Sequence, residues 1–144
     1  MALKESLLLK KVGASYQITV HSQLTPEVFA AERARTNNLK LPVLIKDVQS
    51  VKNPFFVAVV FGSHAKKQAT KHSDVDLCII SDNKETTRIL SQKTQLFPFQ
   101  VELHSFTTEQ FISMMQSKKP SVAHEIADHG VIVRNTEAYY DLIR

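Results

Sequence analysis

The sequence predicts an α/β fold, and three observations carry that prediction. Apolar runs of strand length alternate along the chain with segments of helical periodicity. One run, Phe55 to Phe61, is apolar on both faces, as a strand covered from both sides must be. Helix-start signals recur between the runs, at Thr25, Asp82, Thr107 and Thr136. Alternation of this kind implies helices packed on a sheet, an α/β sandwich.

The elements follow in order. Leu7 to Leu9 form an apolar patch, and in Ser15 to His21 the residues Tyr16, Ile18 and Val20 alternate with polar neighbours, which predicts a half-exposed strand. Thr25-Pro26-Glu27 offers a capping hydroxyl, a proline at the first helical position and an acid near the positive helix end. That helix is expected to stop near Asn37-Asn38. Pro42 opens a second helix, with Leu41, Leu44, Ile45 and Val48 on one face. Asn53-Pro54 breaks the chain before the apolar strand, and the polar stretch Gly62 to Ser73 follows it. Asp74 to Ile80 reads as a strand with Val75, Leu77 and Ile79 toward the core. Asp82-x-x-Glu85 has the form of a capping box and starts a helix carrying Ile89 and Leu90. Phe99 to His104 is a third strand, with Gln100, Glu102 and His104 on its polar face. Thr107-x-x-Gln110 is a second capping box, leading a helix whose Met114 and Met115 belong to the core. A further helix runs from Pro120 and stops at Gly130; Val131 to Val133 forms a short strand, and Thr136 caps a last helix with Tyr139, Tyr140 and Ile143. The expected division is an N-terminal extension over 1–49 and a main domain over 50–144.

Composition narrows the class. The 144 residues suffice for one domain with a hydrophobic core, and 43% hydrophobic with 22% charged content argues against disorder. The longest apolar run is too short to span a bilayer, so a soluble protein is expected. A single cysteine, Cys78, excludes an internal disulfide and a Cys-rich zinc cluster, and points to a reducing, cytoplasmic compartment. The net charge of +4 suits polyanionic ligands such as nucleotides. Six histidines raise the question of zinc, but His124 and His129 are five apart on one helix and no tight ligand spacing occurs. Cys78, mid-strand between Leu77 and Ile79, reads as a packing residue.

The chemistry concentrates between Phe61 and Leu77. Asp74 and Asp76, two apart on a strand, project from the same face. Two carboxylates held that close repel unless a cation lies between them. Glu102 sits on the polar face of the next strand, and three carboxylates make a site for Mg²⁺ or Mn²⁺, hard cations that prefer oxygen. A D-x-D pair on its own is more often a solvated strand end; Gly62-Ser63 and Glu102 tip the reading toward a metal. Gly62, directly after the buried strand, allows a sharp turn and a close approach of backbone N–H groups to a phosphate, and the Ser63 hydroxyl can donate to it.

The segment resembles the signature of the nucleotidyltransferase superfamily that includes DNA polymerase beta, above all its minimal nucleotidyltransferases. That pattern is Gly-Ser-x-Ala-Arg-Gly, five residues, then Ser-Asp-x-Asp-Leu. This chain supplies Gly62, Ser63 and Ala65 and, after the same spacing, Ser73, Asp74, Asp76 and Leu77; Val101-Glu102-Leu103 stands where the family has its third carboxylate. The resemblance implies a small mixed sheet with flanking helices. It implies Asp74, Asp76 and Glu102 as catalytic metal ligands, and Gly62, Ser63, Lys66 and Ser73 as residues that bind ATP or another nucleoside triphosphate. Two positions depart from it. Lys66 replaces an arginine, keeping charge but losing the bidentate fork. Lys67 replaces a glycine, which carries a strain cost if that position needs a positive φ. Lys66, Lys67 and Lys71 read equally well as a solvated loop.

The resemblance implies transfer of a nucleoside monophosphate to an acceptor hydroxyl. Two other functions are consistent with it. One is an antitoxin-like module docking on a small helical partner of the HEPN type. The other is a nucleotide-sensing regulator, since Lys10 to Val20 resembles the closing wing of a winged-helix domain. The helices that read a major groove are missing, which argues against DNA binding. A homo-oligomer is left open.

Overall fold

The computed structural model describes the backbone of residues 7–12 and 15–20 and the whole of residues 25–52 and 55–143. The first two strands, β1 (Leu7–Val12) and β2 (Ser15–Val20), pair antiparallel as a two-stranded ribbon with Val12 opposite Ser15. The alternation at Tyr16, Ile18 and Val20 thus marks a strand as expected, and the Leu7–Leu9 patch proves to be its partner. Gly13-Ala14 of the wing-like segment and the Asn53-Pro54 break lie outside the described residues.

Four further strands form a mixed sheet: β3 (Val57–Phe61), β4 (Val75–Ile80), β5 (Val101–Phe106) and β6 (Val131–Arg134), in the order β5-β4-β3-β6. β3 pairs antiparallel with both β4 and β6, while β4 and β5 run parallel. Helices α1 (Pro26–Asn38), α2 (Pro42–Ser50), α3 (Gly62–Ala65), α4 (Lys84–Thr94), α5 (Thr108–Gln116), α6 (Val122–His129) and α7 (Thr136–Leu142) cover it.

Strand alternation sorts the core into two layers. Val57, Val59, Phe61, Cys78, Ile80 and Ile132 face one way, where Val28 of α1, Phe111 and Met115 of α5, Ile126 of α6 and Tyr139 and Tyr140 of α7 pack on them. Ala58, Val60, Val75, Leu77, Ile79 and Val133 face the other way, against Leu44 and Val48 of α2 and Leu90 of α4. Every residue of β3 is buried, because β3 lies inside the sheet with helices on both sides. Phe55, at the head of the same apolar run, lies outside the strand and is 85% exposed. Residues of the 1–49 segment are held to the sheet by polar contacts too. Thr36 donates to the Ile132 carbonyl (2.8 Å), Arg35 to the Gly130 carbonyl (2.7 Å), and Tyr140 to the buried Glu32 carboxylate (2.7 Å).

Capping explains most helix boundaries. The Thr25 hydroxyl accepts from Val28 N–H, and Thr107 with Gln110 forms the expected reciprocal box. Two caps shift by one residue. Asn83, not Asp82, caps α4, its side chain accepting from the N–H groups of Glu85 and Thr86. Asp82 instead accepts from the N–H and hydroxyl of Thr108, both at 2.9 Å. Asn135, not Thr136, occupies the cap of α7, in the left-handed region that asparagine tolerates. Among the described residues, no helix is long and apolar enough to cross a membrane.

Candidate active site

The site forms where β4 and β5 present polar side chains, beside the end of β3, on the face covered by α5 and α6. Register decides who meets whom: Phe61 lies opposite Asp76, and Asp76 lies beside Glu102 across the parallel pairing. Glu102 and His104, two apart on β5, share a face. The nearest donor atoms of Asp76, Glu102 and His104 fall within 4.8 Å of one another. His104 Nε2 is 3.7 Å from Asp76 Oδ1 and 3.7 Å from Glu102 Oε1, too far for a hydrogen bond. The ring packs edge-on against Phe61, with centroids 5.1 Å apart.

Gly62 turns the chain away from β3 with φ +72°, a conformation that a side chain would strain. Its second requirement is space: a Cβ there would collide with the Asp76 carboxylate. The backbone that opens α3 therefore lies directly against the carboxylate of Asp76 on β4, and only glycine allows it. Ser63, half-buried in the same turn, gives its carbonyl to Gln68 N–H (2.9 Å). Ser73 closes the loop, its hydroxyl accepting from Thr70 N–H at 2.9 Å, while His64 Nε2 lies 3.4 Å from the Ser73 carbonyl.

The sequence-predicted residues thus divide. Asp76 and Glu102 come together beside Gly62. Asp74 lies one residue before β4, exposed, and outside the group of three donors. Lys66 reaches α6, with its Nζ 3.2 Å from Glu125 Oε1. Lys67 has φ +59°, the positive value that a glycine position implies; with Asn38, Lys40 and His64 it lines an open basic cleft of about 520 Å³.

Electrostatics mark Asp76 as the strained acid of the set. Burial holds its carboxyl above the usual range, and the nearby Glu102 and Glu125 charges and a hydrogen bond to Glu102 push the same way. Only His104 opposes them. Cys78, behind the site, is fully buried and its thiol is pushed up to about 12, so it packs rather than reacts. His124 is also buried, its ring set between Ser121 and the Met115 carbonyl, as a core histidine is.

Two residues of the site escaped the motif. His104 carried a signal, since it stands two residues beyond Glu102 on the same face. Glu125 carried none, being one acid on an amphipathic helix.

A mixed sheet with a glycine turn packed on a strand carboxylate defines the class. The sequence signature of the family described as "Polymerase beta, Nucleotidyltransferase" matches residues 44–138, and the chain belongs to that family. Its domain is a nucleotidyltransferase domain, with the general role of nucleotidyl transfer; such domains bind nucleoside triphosphates and generally use divalent metals. No curated protein matches the chain at a significant level.

Proposed function

We propose that the chain is a divalent-metal-dependent nucleotidyltransferase that moves AMP from ATP onto an acceptor hydroxyl. The observation that carries this reading is the contact of the Gly62 backbone with Asp76, beside Glu102. It sets a phosphate-type turn against a carboxylate pair.

The residues fit a metal ion. Two carboxylates and an imidazole nitrogen lie within 4.8 Å, that nitrogen is buried without a hydrogen-bond partner, and burial, with the neighbouring acids, opposes the ionisation of Asp76. Asp76 and Glu102 would hold the ion, with Asp74 at the solvent side. Bound there, Mg²⁺ or Mn²⁺ supplies neutralising charge for a triphosphate and makes the acceptor hydroxyl more acidic. The chain does the rest. Gly62 and Ser63 offer backbone N–H groups and a hydroxyl to phosphate oxygens. Lys66, steadied by Glu125, and Ser73, through the loop it closes, border the same turn. Glu102, with its side chain 58% exposed, accepts the acceptor's proton. The acceptor oxygen bonds to the α-phosphorus, and the bond to pyrophosphate breaks with its electrons leaving on the pyrophosphate. Rate enhancement rests on positioning and charge neutralisation. A reducing cytoplasm suits the single free thiol.

A second reading, a catalytically weak module docking on a helical HEPN-type partner, is favoured by two observations: Lys66 is engaged by Glu125 and Lys67 is strained, and both leave less basic grip for a triphosphate.

The test uses ATP labelled at either the α- or the γ-phosphate, with Mg²⁺ and candidate acceptors, small helical proteins among them. Label transferred from α-labelled but not γ-labelled ATP is the expected result. Stable complex formation with no transfer from either would decide for the docking module.

A further inference from the structure

His104 packs its ring on Phe61 but leaves its Nε2 without the hydrogen bond that a core histidine makes. Its ring is three-quarters covered, and its Nε2 is buried without a hydrogen-bond partner, facing two carboxylates at equal distance. A buried nitrogen left so costs about 1–3 kcal/mol, and hydrogen bonding to either acid would need an approach to about 3.2 Å. Two donors sharing one dication through bonds of about 2.0–2.2 Å stand about 3–3.6 Å apart. The observed 3.7 Å separations reach that spacing with a shift of a few tenths of an ångström. Phe61 against the ring and the β5 backbone hold the nitrogen in this direction.

We propose that His104 Nε2 is a metal ligand, together with Asp76 and Glu102, and that it makes this a mixed nitrogen–oxygen site preferring a transition-metal dication over Mg²⁺. Mg²⁺ is a hard cation that favours oxygen and keeps its waters, whereas imidazole strengthens binding of ions such as Co²⁺ and Zn²⁺. The carboxylates admit Mg²⁺ or Mn²⁺; the nitrogen sets the ranking among ions. This deepens the proposed nucleotidyl transfer and rests on it only for what the ion is used for, because binding can be measured without nucleotide.

The test is calorimetric titration of tag-free, chelator-stripped full-length protein with Co²⁺ and with Mg²⁺, in the absence of ATP. Co²⁺ is expected to bind at least about 10-fold more tightly than Mg²⁺. His104→Asn should lower Co²⁺ affinity on the order of 10–100-fold while changing Mg²⁺ affinity less than about 3-fold. Equal Co²⁺ affinity in the two proteins, or parity of Co²⁺ and Mg²⁺ in the wild type, would overturn the assignment. Should His104→Asn fail to fold, pulsed electron paramagnetic resonance of the wild type with Mn²⁺ decides. Nitrogen-14 coupling that disappears in Asp76→Asn supports the ligand, and absence of coupling, or its persistence in that variant, refutes it. A protein that transfers no nucleotide yet shows this ion ranking keeps the ligand and loses the enzyme; transfer without the ranking does the reverse.

Discussion

At the scale of residues, Asp76 is where the fold accepts a local cost. Burial, Glu102 and Glu125 all oppose its ionisation, so its carboxyl titrates above the ordinary value of 3.8. A group whose folded pKa is raised favours the folded state while protonated; that contribution is present below the unfolded pKa and is lost as pH rises through the folded one. In chelator, Asp76→Asn is therefore expected to melt above the wild type at about pH 7, with the gap closing as pH falls toward 3.8. Melting curves of both proteins across that range check this, and a gap independent of pH would contradict it. The sequence made Asp76 and Glu102 legible because strand alternation places them without any knowledge of neighbours. His104 was legible in the same way, yet a neutral ring on a strand face is ordinary until its distances are known. Glu125 reaches the site only through the docking of α6, which no local pattern encodes.

At the scale of elements, the turn after α3 holds its backbone where a residue with a Cβ is strained. Lys67 adopts φ +59°, a left-handed conformation that costs a residue with a Cβ about 1–2 kcal/mol. Glycine relieves that cost and adds freedom to the unfolded chain, so Lys67→Gly should gain about 0.5–1 kcal/mol, or about 2–4 °C in melting temperature. Lys67→Ala, which keeps the strain, should not be stabilised. A loss of more than about 1 kcal/mol in Lys67→Gly would mean the lysine side chain holds the turn through the cleft it lines with Lys40 and His64. The departure was visible as a lysine in a glycine position; whether that position required a positive φ was not. Caps show the same limit. Asp82 and Asn83 are both able to cap α4, and the choice between them is made by Thr108, 26 residues away.

At the scale of the whole molecule, the two core layers explain why a one-dimensional reading recovered the sheet so well. Alternation within β3 and β4 assigns each residue to one layer, and the helices follow from their own apolar faces. Strand order and the pairing of β4 parallel to β5 come from contacts far apart in sequence and were not legible in it; the family resemblance implied only a small mixed sheet. The layers also bear on how much chain the fold needs. Val28, Leu44 and Val48 are each at most 1% exposed and close opposite faces of the sheet. A chain lacking residues 1–49 should therefore lose cooperative melting, since opening both faces exceeds the stability of an ordinary domain, about 5–15 kcal/mol. A chain lacking residues 1–24 keeps α1 and α2 and should melt cooperatively. Cooperative folding of residues 50–144 alone would show that α1 and α2 are dispensable.

The central claim is that a divalent ion held at Asp76, with Glu102 and Asp74 beside it, joins the nucleotide to the protein. Calorimetry of ATP binding, with Mg²⁺ or Mn²⁺ and with chelator, in the wild type and in Asp74→Asn/Asp76→Asn, tests it most directly. The account predicts that the ion strengthens ATP binding at least about 10-fold in the wild type and that the folded double variant loses this enhancement. Equal metal dependence in both proteins would contradict it.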